Sequence, residues 1–291
     1  MAISIEHPHE RHVWRQRGIY ILRVYIPLTL FVLVTLFPFY WMFTTSLKTN
    51  QELINVRELI LFVKKPTLAH YRYLFEQTNF VRWTVNSIVV TVTSTAISLF
   101  CGALAGYSLS RLRFRGSNVL GLAIFVTYLI PQTLLFIPLT RVIDQFGMLN
   151  SLWAMILTYP TLLIPFCTWM LLGYFRTIPV ELEESALIDG AGRLRALVSI
   201  VLPLALPGVL SAGIFAFTLS WNEYMYALVF SSSTEIKTIP VGLTSELITG
   251  DVFFWGSLMA GALLGSVPVA IFYSFFVEHY VAGLTAGAVK G

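Results

Sequence analysis

Few side chains in this 291-residue chain can do chemistry, and the ones that can are grouped. Glu223 stands in the run Trp221-Asn222-Glu223-Tyr224-Met225-Tyr226, inside a long apolar stretch. A carboxylate at bilayer depth costs about 2.5–3.5 kcal/mol, so it must face protein or water. Rings that stack on apolar faces, beside amides that bind hydroxyls, are what saccharide recognition uses. Glu223 lies two-thirds along its apolar run, near one surface. A gating or docking contact with another chain, or a buried hydrogen bond, therefore explains it better than contact with a solute. Tyr128 and Gln132, one helical turn apart and flanking Pro131, are the next pathway candidates.

Other chemistries lack their residues. His7, His9 and His12 read as part of a charged N-terminal tail rather than a metal site, and His70 and His279 stand alone. Cys101 and Cys167 fall in separate apolar runs with no disulfide or zinc spacing. No GxxxxGK[ST] loop is present to bind a nucleotide, and no set of intramembrane acids or histidines suggests a membrane enzyme. No catalytic residue, metal ligand or cofactor site is assigned.

The elements that must position these groups follow from composition. Hydrophobic residues make up 56% and charged residues 12%, with a mean hydropathy of +0.75. Soluble domains carry about 25% charged residues. A water-soluble enzyme and a nucleic-acid binder are excluded, and the net charge of +4 belongs beside lipid headgroups. A helix crosses the hydrocarbon core with about 20 apolar residues. Six runs qualify, near 24–46, 86–109, 118–140, 152–175, 207–230 and 254–277. The expected organisation is a basic interfacial helix over 1–23 anchored by Trp14, a six-span domain over 24–277, and a tail over 278–291. Arginines concentrated in the tight RLRFR turn at 111–115 place both termini inside, N-in and C-in.

Within the spans, Gly102-x-x-x-Gly106 and Gly261-x-x-x-Gly265 let helix backbones approach closely. Pro131, Pro138, Pro160, Pro165 and Pro268 predict kinks in the third, fourth and sixth spans. The loop after the fourth span, 176–206, predicts a helix starting near Pro179 and running to about Gly192. Glu181, Glu183 and Glu184 favour its positive end. Ala186 and Gly190, four apart, would leave one bare flank suited to a groove on another protein. Pro203 and Pro207 would stop a second helical piece before the fifth span.

Glu184-Ser185-Ala186, three residues, Gly190, nine residues, then Ile200-x-Leu202-Pro203 resembles the EAA loop of ABC-importer permeases, with Ser185 as the one departure. Asp189-Gly190-Ala191 resembles the DGA run of the carbohydrate-uptake branch. PFYWMFTTSLK (38–48), Phe80-x-x-Trp83-x-x-Asn86-Ser87, GYSLSRLRFRG (106–116), IPLTRVIDQFGMLNS (137–151) and Trp221-Asn222-Glu223 agree with the same branch. The match is similar above all to the smaller permease subunit of maltose-type importers. That resemblance implies an all-α, six-helix type I ABC-importer permease in a bacterial or archaeal cytoplasmic membrane, importing a carbohydrate. It implies a coupling helix built on Glu184, Ser185, Ala186, Asp189, Gly190 and Ala191, with Leu202 and Pro203 as a rigid exit. The implied partners are a second homologous permease, two copies of a cytoplasmic ATPase that holds ATP and Mg²⁺, and an extracytoplasmic sugar-binding protein. An ion-coupled secondary transporter using Glu223 is the competing reading, and it lacks internal repeats.

Overall fold

The structure, a computed structural model, describes residues 21–288 except 56–60, 113 and 251, with side chains from 22 to 276. The interfacial helix around Trp14 and the histidines His7, His9 and His12 lie outside the described residues. The helices are α1 (Ile26–Leu47), α2 (Asn50–Ile54), α3 (Ala69–Gln77), α4 (Phe80–Arg111), α5 (Ser117–Leu129), α6 (Gln132–Gln145) and α7 (Leu152–Thr158). Then come α8 (Pro160–Thr177), α9 (Val180–Ile188), α10 (Arg193–Leu204), α11 (Leu206–Trp221), α12 (Met225–Phe230), α13 (Ile239–Leu247) and α14 (Trp255–Ala288). Two-residue strands, β1 (Ile248–Thr249) and β2 (Val252–Phe253), pair antiparallel before α14, with Ile248 opposite Phe253.

Among the described residues, four stretches are long and apolar enough to cross a membrane: Leu22–Leu47, Phe80–Arg111, Leu152–Thr177 and Trp255–Phe276. Two further helix pairs pass the same test only when taken together across a bend, α5 with α6 at 99° and α10 with α11 at 81°, and the count is six if each pair is one span. The third expected span is thus not a kinked rod but a broken one. Ile130 and Pro131 are extended, with ψ of 126° for both, because a residue before proline is pushed out of the helical region and proline has no N–H to continue the ladder. Pro138, Pro165 and Pro268 sit inside continuous helices instead. Between α7 and α8, the Thr161 hydroxyl donates to the Thr158 carbonyl at 2.6 Å, beside the break at Pro160. The fifth expected span, 207–230, is also divided: α11 ends at Trp221 and α12 begins at Met225. The last helix continues to Ala288, through most of the stretch expected to be a tail.

The described residues fall into two compact units, those up to 71 with 255–263 and those from 72 to 254 with 264–288. In the first, buried His70 joins the end of α1 to the start of α14. Its Nε2 lies 2.8 Å from the Lys48 carbonyl and its Nδ1 3.3 Å from Ser257 Oγ. In the second, α4 and α8 pack backbone to backbone. A Cβ at Gly102 would fall 2.6 Å from Cys167 Cβ, and one at Gly106 would fall 3.1 Å from the Leu172 amide nitrogen. Without a hydrophobic drive in lipid, such small-residue contact is what holds helices together. Gly208 at the start of α11 packs under the Tyr174 ring, where a Cβ would be 2.2 Å from Cγ.

Candidate functional site

Two polar sites stand at the two ends of α11, whose 16 residues span roughly 24 Å at 1.5 Å per residue. At its start lies the loop 176–206. Helix α9 carries Glu181 and Glu183 in its first turn, where free N–H groups favour negative charge. It stops at Ile188, short of the expected Gly192. Gly190 takes φ +87°, its N–H donates to the Leu187 carbonyl at 3.1 Å, and the Ala191 N–H donates to the Ala186 carbonyl at 2.9 Å. This is a Schellman ending, which calls for a left-handed residue at that position and hence favours glycine. Gly190 therefore terminates the helix and does not share a helical face with Ala186.

The chain then folds back, so that Ala186, Asp189, Gly190 and Ala191 form one wall of a recess of about 260 Å³. Arg195, Ser199 and Ile200 of α10 form the other. Glu184 and Ser185 are exposed. The Ser185 hydroxyl donates to the Glu181 carbonyl at 2.8 Å, so its polar group is satisfied by its own helix. Leu202 is half-buried and Pro203 exposed in the last turn of α10. Pro203 does not end the piece: the turn into α11 falls at buried Ala205, with Pro207 in the first turn of α11.

Beneath α9 lies a group that sequence alone does not single out. Glu183, only 2% exposed, points inward against the Arg111 guanidinium, Nε to Oε2 at 3.2 Å, close as charges but not aligned as a hydrogen bond. The Tyr107 hydroxyl donates to Glu183 Oε1, and the more exposed Arg193 stands 3.6 Å from the same oxygen. The other end of Arg111 donates to the carbonyls of Phe175 (2.9 Å) and Ile178 (2.7 Å), which close the end of α8. One buried guanidinium thus ties together α4, α8 and α9. Three acids within four positions hide which of them turns inward; the available signal is Arg111, the one arginine of the RLRFR run that falls within the last turn of a span.

At the far end of α11, a cleft of about 390 Å³ is lined by residues of four segments. Tyr128 comes from the end of α5 and Gln132 from the start of α6, with Tyr159 between α7 and α8. Asn222, Glu223 and Tyr224 join them from the break between α11 and α12. Five of the six expected pathway residues meet there. Trp221 does not: it is buried, its indole N–H donates to the Gly265 carbonyl at 3.2 Å, and it stacks on Phe217. Glu223 is a buried helix cap, with Oε1 accepting from the Tyr226 N–H at 2.9 Å and Oε2 from the Ala227 N–H at 3.0 Å. These are the free donors at the start of α12, which explains why a carboxylate divides the expected fifth span. On the cleft, the buried Ser220 hydroxyl has no hydrogen-bond partner among the described residues, and the buried Tyr159 hydroxyl stands beside the Glu223 carboxylate.

Two motifs noted in the sequence prove to be anchors for the neighbouring loop. The Trp83 indole N–H donates to the Thr234 carbonyl at 2.8 Å, and Asn86 Nδ2 to the carbonyls of Glu235 and Lys237 at 2.8 and 2.9 Å. Ser87 Oγ accepts the Ile239 N–H at 2.8 Å. Asn150, with φ +55°, accepts from the Ser232 and Ser233 N–H groups through Oδ1 at 3.0 and 2.8 Å. Outside the membrane helices, the Lys237 ammonium at 2.7 Å holds the Glu246 carboxyl below its usual range, with a smaller contribution from the Thr234 hydroxyl.

Residues 98–285 match the family model described as the binding-protein-dependent transport system inner membrane component. The sulfoquinovosyl glycerol transport system permease protein SmoH of Agrobacterium fabrum is 40% identical over 257 residues, covering 88% of this chain and 89% of that protein. The diacetylchitobiose uptake system permease protein DasC of Streptomyces coelicolor is 34% identical over 256 residues, covering 88% and 92%. In fold, the chain is similar to the crystal structure of a bacterial ABC transporter involved in the import of the acidic polysaccharide alginate. The TM-score is 0.75 at 21% identity, covering 96% of this chain and all of that one. Residues 98–285 and the nearly full-length relatives agree, and the chain belongs to the family of inner membrane components of binding-protein-dependent transport systems, a multi-pass protein of the cytoplasmic membrane.

Proposed function

We propose that this chain is the permease subunit of an ATP-driven importer that takes up a carbohydrate by alternating access. The observation that carries the reading is the loop 176–206. It presents Glu184, Ser185, Ala186, Asp189, Gly190 and Ala191 around a short, sharply ended helix and an open recess. Such a knob docks on a cytoplasmic ATPase, which holds the ATP and Mg²⁺. Leu202 and Pro203 pass the motion on through α10 into α11. A second homologous permease completes the pathway, and an extracytoplasmic binding protein delivers the solute. The carbohydrate class rests on relatives named for sulfoquinovosyl glycerol and diacetylchitobiose, both sugar derivatives.

The cleft beside α12 supplies what a saccharide requires. Tyr128 and Tyr224 offer ring faces, Gln132 and Asn222 offer amides, and the Ser220 hydroxyl is without a partner among the described residues. Glu223 shapes this wall as a cap. Both its oxygens are engaged by backbone N–H groups, which speaks against a proton- or cation-coupling role. The test is affinity purification from native membranes in mild detergent with partners identified by mass spectrometry. Recovery of a second permease and an ABC ATPase supports the importer. A chain that purifies alone or as a homodimer, with no ATPase even after cross-linking, overturns it.

A further inference from the structure

We infer that Arg111, Glu183 and Tyr107 form a clasp that makes α9 move as one body with the ends of α4 and α8, so that these three are positioning residues for coupling. The inference rests on the importer reading and adds to it residues outside the EAA positions. The motif's own glutamate, Glu184, is exposed and free to meet a partner, whereas Glu183 is turned away from any partner and buried. A nine-residue helix ended by glycine has too little length to stay fixed by its own hydrogen bonds. A force applied to it would swing it on Pro179 and Gly190 unless something held its inner face.

The clasp is that hold. Its charges are 5% and 3% exposed at Arg111 and Glu183, so water and salt screen them little. Arg111 reaches α8 and α9 at once, through the Phe175 and Ile178 carbonyls and the Glu183 carboxylate. One end of the guanidinium donates to both carbonyls while its delocalised charge faces the carboxylate, a division of work suited to a planar, permanently charged group. Tyr107, one turn before Arg111 on α4, grips the second carboxylate oxygen. The span that carries Gly102 and Gly106 against α8 therefore also carries the contact to α9, and a push on α9 reaches the helix pair with no slack between them.

The experiment uses the whole complex, co-expressed, purified and reconstituted in vesicles, with ATP hydrolysis and solute uptake both measured per assembled complex. Glu183→Gln keeps the shape and removes the charge. The expected result is hydrolysis within about twofold of the parent and uptake lowered roughly tenfold, so that more ATP is spent per solute. Arg111→Gln, and the two together, should show the same loss rather than a product of losses, because residues of one unit are not additive. A purely structural role would instead lower assembled complex and leave the ATP-per-solute ratio unchanged. That unchanged ratio overturns the inference. If Glu183→Gln fails to assemble, Tyr107→Phe carries the test by removing one hydroxyl from the same carboxylate, and it must raise the ratio. If the parent chain brings no ATPase with it, the importer reading fails separately. Amide exchange over residues 180–189 then judges the clasp: faster exchange in Glu183→Gln with α8 unchanged supports it, and equal exchange overturns it.

Discussion

Glu183 and Glu223 are buried carboxylates at opposite ends of α11, 2% and 8% exposed, and they are satisfied in contrasting ways. Glu183 meets a guanidinium, a hydroxyl and a second, more exposed arginine, all from other segments. Glu223 accepts from the N–H groups of Tyr226 and Ala227, three and four residues ahead of it. The first holds separate helices together through charge; the second spends both oxygens on its own backbone, with the Tyr159 hydroxyl as its neighbour from another segment. A buried acid in a membrane protein is thus not one kind of object. The identity of its partners says whether it transmits motion or sets a local bend.

The largest effect should come from Arg111→Ala. It leaves Glu183 without its buried partner and uncaps the Phe175 and Ile178 carbonyls, and breaking such a pair costs about 3–5 kcal/mol. Thermal unfolding in detergent measures it, and adding Glu183→Gln should recover part of the loss by removing the stranded charge. Next is Gly208→Leu, which forces side-chain atoms into the Tyr174 ring and should cost about 1–3 kcal/mol. Gly173→Leu, where a Cβ would meet nothing within 4 Å, is the control and should unfold like the parent. Glu223→Ala should cost about 0.5–2 kcal/mol as a lost helix cap. A loss as large as that of Arg111→Ala would erase the contrast between the two acids.

The smallest effect is the pH response of the Lys237–Glu246 pair, worth no more than about 1 kcal/mol because both partners are reached by water. The Glu246 carboxyl is lower in the folded chain than its ordinary 4.5, so the unfolded state takes up a proton first as pH falls. The contribution is full above 4.5 and is lost as pH drops through the lowered folded value. Lys237→Met should remove that acid-range dependence in unfolding midpoints measured from pH 6 to pH 3.

The spans are legible in sequence because hydropathy over about 20 residues is a strong signal, and the break at 130–131 is announced by a proline. The break at 222–224 is not, since apolar residues continue on both sides and the cause is a side chain reaching forward to amides. The loop 176–206 is legible as a motif but not in its geometry. Spacing alone puts Gly190 on a helical face with Ala186, although glycine just past a helix end more often closes it. Glu183 and Arg111 are invisible as a pair because 72 positions separate them and each stands among like charges, Glu181 and Glu184 on one side and Arg113 and Arg115 on the other, that hide which one turns inward. The cleft shows the opposite case. Tyr128 and Gln132 stand out from local spacing alone, and the 99° bend between α5 and α6 carries them to Asn222 and Tyr224.

That bend has a consequence for the insulating barrier of the membrane. Pro131 offers no N–H, and the last carbonyls of α5 and first amides of α6 lie outside any shared helical ladder. Hydrocarbon cannot solvate them, so such backbone is tolerated at membrane depth only where protein or water covers it. Tyr128, Leu129 and Ile130 are 45%, 62% and 38% exposed in the chain alone. Taken by itself, then, the chain is a dielectric wall with a thin place at this level, and its insulation there depends on what covers that backbone, whether protein or a water-lined cavity.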